Sequence, residues 1–116
     1  AYDPQLPGNK PNPNTYCGFV KYITSFGMPR LEDTIRKITG KPSQVLHLSD
    51  RGLIHVGFKA DLNIIDVSLI NANENVIDPS VYPSGINHLL VNGRFVLKNG
   101  RLTGNLPGGV IRGQSR

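Results

Sequence analysis

The chain has 116 residues with a formal net charge of +5, 38% apolar residues, 13 Gly and 9 Pro. That length suits one domain and can remove about two thirds of the unfolded surface from water, enough for a core. No apolar run approaches the ~18 residues of a membrane span, no signal peptide opens the chain, and the basic residues are spread from Lys10 to Arg116 without a run or interleaved aromatics, which reads as a mildly basic surface rather than a nucleic-acid stripe.

Residues 1–15, AYDPQLPGNKPNPNT, hold four prolines and few apolar groups, so they are expected to run extended or in turns, either laid over something larger or as a disordered terminus. The opening Ala-Tyr-Asp-Pro, without Met, reads as a processed or truncated start, or as ordinary removal of an initiator before Ala. From Tyr16 to Phe26 the residues Phe19, Tyr22, Ile23 and Phe26 fall at i, i+3, i+4 and i+7, which predicts a short helix presenting that face and stopped by Gly27. Leu31, Ile35 and Ile38 line a second helical face. Its first turn carries Glu32 and Asp33 and its last turn Arg36 and Lys37, as the helix dipole favours. Gly40 is expected to end that helix, and Pro42 to open a third one over Ser43 to Leu46.

The period changes at Asp50. Asp50-Arg51-Gly52 reads as a turn, Leu53, Ile54 and Val56 as a short strand or bridge, and Leu62 to Val67 as a strand. Residues 68–85 are polar, punctuated by Asn71, Asn73, Asn75, Asp78-Pro79 and Pro83-Ser84-Gly85, and read as a long loop. Ile86, His88 and Leu90 then alternate with Asn87, Leu89 and Val91. Asn92-Gly93 and Asn99-Gly100 are hairpin signals, because type I′ turns require positive φ at both central residues. Phe95 and Leu97 lie on a strand between them, and Arg101 to Thr103 forms a last short one. The expected class is α+β: short helices followed by a small antiparallel meander, ending in Pro107-Gly108-Gly109 and a polar tail, Arg112 to Arg116.

Catalytic equipment is sparse. His47, His55 and His88 are each at least eight residues from the next and match no metal-binding spacing, so none is assigned as a ligand. Cys17 is the only cysteine; it cannot form an internal disulfide, which favours a reducing, cytoplasmic setting, and it reads as a small packed residue. Glu32 and Asp33 are helix-start residues, and Asp61 and Asp66 bracket a strand without the spacing of an acid–base pair. Neither a G-x-S-x-G nor a phosphate loop occurs. No catalytic or metal residue is assigned, and the substrate-binding residues are unknown.

Three blocks, LEDTIRKITGKPS, DRGLIHVGFKADLNIID and YPSGINHLLVNGRFVLKNGRLTGNLPG, resemble in order the C-terminal end of the N-acyl-D-amino-acid deacylases, the D-aminoacylases of the amidohydrolase superfamily. The likeness covers roughly residues 29–112. A weaker likeness over residues 12–22 sets Asn12-Pro13-Asn14 where that family has His-Pro-Arg, so the basic residue expected near substrate is missing. The resemblance implies a parent enzyme with a zinc-dependent (β/α)₈ barrel and a β-sandwich built from both chain ends. Residues 1–28 would then be a post-barrel segment with a short helix. Residues 29–48 would be terminal barrel helices, 49–112 sandwich strands, and 113–116 a tail. The family's His-x-His, its later ligands and its catalytic Asp would precede Ala1. Asp3 does not stand in for that Asp, because the family's follows Ser and Asp3 follows Tyr2. The chain itself is expected to hold no zinc and to be inactive. Its expected partners are the missing barrel and sandwich strands, with self-association through uncovered edges, and neither nucleic acid nor membrane. Two alternatives stand beside this: a free-standing β-rich binding module, and a fragment of a dihydroorotase- or hydantoinase-type hydrolase.

Overall fold

The computed structural model describes residues 12–112. Helix α1 spans Asn14–Tyr22 and passes into a wide π-type turn, Ile23–Gly27, and a 3₁₀ turn, Met28–Arg30; helices α2, Leu31–Ile38, and α3, Gly40–Val45, follow. Strands β1, Leu62–Ile65, β2, Ile86–Val91, β3, Arg94–Lys98, and β4, Arg101–Leu102, form one antiparallel sheet in the order β1-β2-β3-β4. The α+β class and the meander agree with the sequence reading.

Helix α1 starts earlier than the apolar period suggests. The Asn12 side chain accepts the Asn14 amide at 2.9 Å, and the Asn12 carbonyl accepts the Thr15 amide at 2.9 Å, satisfying first-turn donors. The buried face also differs from the expected one. Cys17, Val20, Ile23 and Gly27 are buried, whereas Phe19 and Phe26 point outward. Small residues win this position because they allow close approach. A Cβ on Gly27 would come within 2.4 Å of the Thr34 methyl, and the Thr34 hydroxyl donates to the Gly27 carbonyl at 3.2 Å, pinning α2 beneath the π-type turn.

Helix α2 carries its charges as expected: Asp33 receives Arg36 at 2.9 Å and Lys37 at 2.8 Å. Gly40 is not the stop signal. The Thr39 hydroxyl donates to the Ile35 carbonyl at 2.8 Å at the end of α2, and Gly40 begins α3. That helix therefore ends at Val45 instead of running Ser43 to Leu46. The buried Ser43 hydroxyl lies 3.1 Å from the Leu48 carbonyl and 2.7 Å from that of Arg51, tying the chain after α3 back onto the helix.

Two strand expectations are corrected. Residues 53–56 form no strand: Ile54 and Val56 are 92% and 95% exposed, and β-branched content without a pairing partner does not make a ladder. Strand β1 stops at Ile65, because the Asp66 side chain turns back to accept the Ser68 amide at 2.9 Å and the Ser68 hydroxyl at 2.6 Å. Residues 66–85 are a chain of such turns, repeated at Asn71, Asn75 and Asp78. They are closed by an Asn71–Ser84 bridge and by Gly85 at φ +83°, whose position leaves only 2.4 Å between a Cβ and the Ile70 Cα.

This long loop is what α1 packs on. Cys17, Val20 and Ala72 make the buried cluster, with Ile70 and Ile86 against it. Tyr16 meets Tyr82 edge to face at 5.6 Å, and Lys21 pairs with Glu74 at 2.7 Å. Both Asn-Gly turns behave as read: φ is +49° and +74° at Asn92 and Gly93, and +51° and +72° at Asn99 and Gly100. Yet every residue of the four strands is half-buried or exposed, and the described residues supply no second layer over the sheet.

Candidate functional site

The most organised polar constellation sits at the end of the sheet carrying the first Asn-Gly turn. The turn before β1 brings Asp50, Arg51 and Asp61 together. Arg51, 18% exposed, donates from Nε to Asp50 at 3.0 Å and from a terminal nitrogen to Asp61 at 3.1 Å. The second oxygen of Asp61 accepts the Asn92 amide at 2.7 Å. The Gly93 amide donates to the Ala60 carbonyl at 3.0 Å, and the Asn92 side-chain nitrogen donates to the Pro107 carbonyl at 2.9 Å. One carboxylate thus bridges a guanidinium and the tip of the β2–β3 hairpin, while the same asparagine holds the segment after β4.

Arg51, Asp61 and Asn92 border an open cleft of about 510 Å³, lined also by Asn63, by Leu89 to Val91 and by residues 108–111. The Arg51 guanidinium beside Asp50 holds that carboxyl below its usual range. Arg51 is therefore set between two carboxylates, and the group holds structure together. No nucleophile or proton-transfer pair faces the cleft among its lining residues.

The other residues weighed from the sequence are dispersed. His47 follows α3 at φ +53° and is exposed. His55 is exposed beside Phe58, with Nδ1 2.8 Å from the Val56 carbonyl. His88 lies half-buried on β2 against Phe95, and its Nδ1 accepts the Asn99 amide at 3.3 Å. Cys17 is buried, its thiol directed to the Pro13 carbonyl at 3.2 Å. Glu32 and Asp33 lie in the first turn of α2, where Lys37 and then Arg36 lower the Asp33 carboxyl to about 2. Asp66 is lowered chiefly by the Ser68 hydroxyl. Asp3 lies outside the described residues. Asn12 and Asn14 form the start of α1. Sequence reasoning took Asp61 as a strand bracket and missed its union with Arg51 and Asn92. The available signal was the pairing of a turn arginine with an acidic residue ten positions on.

Comparison with known proteins decides the family. A model described as "Amidohydrolase family" matches residues 29–97. The chain belongs to the amidohydrolase family. It is 29% identical over 106 residues to an N-acyl-D-glutamate deacylase of Alcaligenes xylosoxydans xylosoxydans, covering 88% of this chain and 22% of the relative. It is 33% identical over 81 residues to an N-acyl-D-aspartate deacylase of the same organism, covering 70% of this chain and 16% of the relative. The expected likeness to the N-acyl-D-amino-acid deacylases is thereby shown, and this amidohydrolase-family chain spans about a fifth of the length of the curated relatives it matches. No solved structure matches it.

Arg51, Asp61 and Asn92 all fall within the matched family segment. The zinc implied by the resemblance finds no ligand set among the described residues. Among the described residues, no three of His, Cys, Asp and Glu gather as a ligand set, and Nδ1 of both His55 and His88 is already engaged. No helix among the described residues is long and apolar enough to cross a membrane.

Proposed function

We propose that this chain is the C-terminal share of an N-acyl-D-amino-acid deacylase of the amidohydrolase family. The parent reaction adds the oxygen of water to the acyl carbon, breaks the amide C–N bond and protonates the departing nitrogen, giving a carboxylate and a free D-amino acid. In this reading zinc and the catalytic Asp belong to a (β/α)₈ barrel earlier in the polypeptide. Residues 12–112 contribute structure: the four-stranded sheet is one part of a sandwich whose remaining strands come from the other end of the parent. The names of the two relatives make N-acyl derivatives of acidic D-amino acids the first substrates to try.

The observation that carries the reading is an incomplete sheet inside a family match. Residues 29–97 match the family, and Leu62, Ile65, Leu89, Leu90, Phe95, Val96 and Leu97 reach only half-burial. An antiparallel sheet gains its stability by packing one apolar face on a second layer, which the described residues do not supply.

The test is to express the complete reading frame that encodes this chain. Its product is assayed with N-acetyl-D-glutamate, N-acetyl-D-aspartate and a neutral N-acetyl-D-amino acid, with chirally resolved detection of the released amino acid. The expected result is a protein several times longer that releases a D-amino acid, while the 116-residue chain alone releases none. A reading frame confined to this chain, or turnover by this chain alone, overturns the proposal.

A further inference from the structure

Helix α1 carries two stripes, and only one has a use within the described residues. Cys17 and Val20 meet Ala72 of the long loop. The other stripe, Phe19, Tyr22 and Phe26, has the i, i+3, i+7 spacing of a helix face made for burial, yet its residues are 70%, 36% and 76% exposed. The Tyr22 and Phe26 rings lie 6.3 Å apart and tilted by 42°, forming a continuous aromatic surface across the end of α1 and the π-type turn. Beside it runs a groove of about 420 Å³ between α1 and α2, bounded by Gly18, Phe19, Tyr22, Lys37 and Ile38. Gly18 leaves its floor open: a Cβ there would meet only the Asn14 Cβ, at 3.5 Å. Lys37 is paired with Asp33 at 2.8 Å, so the rim presents no unbalanced cation to attract an acidic partner.

We infer that this aromatic stripe and groove are the docking face for the preceding part of the parent polypeptide, filled by apolar side chains of an element outside residues 12–112. The inference rests on the reading under Proposed function and adds the surface through which the helical region is held. One observation and one general argument select this occupant. The matched 106 residues are 22% of the deacylase relative, so most of such a polypeptide lies outside this chain. A covalently linked segment also acts at an effective concentration on the order of millimolar, far above that of a second copy in solution. Single exposed aromatics are ordinary on protein surfaces, but three in helical register beside an apolar groove form a patch of the kind that marks an interaction site.

Hydroxyl-radical footprinting read by mass spectrometry tests this on the unmutated product of the complete reading frame, native and unfolded in urea. The expected result is oxidation of Phe19 and Phe26 at about a tenth or less of the unfolded rate, as for aromatics sealed in an interface core. Oxidation at well over half the unfolded rate, in a product that releases D-amino acid, overturns the docking face and leaves the deacylase reading intact. Protection lost on dilution to a monomer assigns the face to a second copy and overturns the inference. Protection in a monomeric product that hydrolyses none of the three substrates supports the docking face while the deacylase reading fails.

Discussion

Replacing Asp61 by alanine removes the carboxylate that joins Arg51, at 3.1 Å, to the Asn92 amide, at 2.7 Å. Both bonds are charge-assisted, a type worth about 1.5–3 kcal/mol when shielded. The Asp61 side chain is 31% exposed and that of Arg51 18%, so water recovers part of the loss. A net cost of about 1.5 kcal/mol to docking of the β2–β3 hairpin tip follows after discounting for solvent screening. The informative reporter is the Gly93 amide, whose own bond to the Ala60 carbonyl the substitution leaves in place. Its hydrogen exchange is expected to accelerate by about tenfold, the factor that corresponds to 1.4 kcal/mol. Asp61→Asn keeps an acceptor for Asn92 but loses the charge, and is expected to fall between wild type and Asp61→Ala. Raising the salt concentration should narrow the gap between wild type and Asp61→Asn, because only wild type carries the charged Arg51 pair that salt screens. An unchanged Gly93 exchange rate in Asp61→Ala refutes the reasoning, since the turn would then be held by its own geometry alone.

Two further outcomes follow from the same coordinates. Gly85→Ala combines a φ of +83° with a Cβ 2.4 Å from the Ile70 backbone, so at least about 2 kcal/mol of destabilisation is expected, measurable as a lowered urea midpoint. The carboxyls of Asp33, Asp50 and Asp66 are all held below 3.8. A depressed folded value means that the unfolded chain binds protons first. Their contribution is therefore complete above about pH 5 and is lost as the pH falls from there toward 2. A urea midpoint that stayed flat or rose between pH 5 and pH 2.5 would contradict that sign.

Legibility in the sequence followed the range of the interaction. Asn92-Gly93 and Asn99-Gly100 were readable because the turn type itself demands those residues. The charges of α2 were readable because each pair lies within one helical turn. The buried face of α1 was not, because two apolar stripes interleave along it. Volume decided between them: Cys17, Val20 and Gly27 permit close packing, and Phe19 and Phe26 do not. Leu53, Ile54 and Val56 carried strand composition without a neighbouring strand to pair with. The Arg51–Asp61–Asn92 group was invisible to periodicity because it joins three segments that meet only after the sheet has formed. The family resemblance was legible from ordered motifs, while the exposure of Phe19, Tyr22 and Phe26 along one side of α1 and the π-type turn required coordinates.

The salt bridge between Lys21 and Glu74 also carries a consequence for the order of folding. Its partners are 53 residues apart, whereas β2 and β3 are joined by a two-residue turn. Loop-closure entropy rises by about 0.6 kcal/mol for each doubling of the loop. The meander is therefore expected to zip from its Asn-Gly turns before α1 docks, and α1 to dock only once residues 66–85 have set into their string of turns. Until that arrival Cys17 is open to solvent. Its rate of reaction with a thiol reagent during refolding then becomes a clock for the final step.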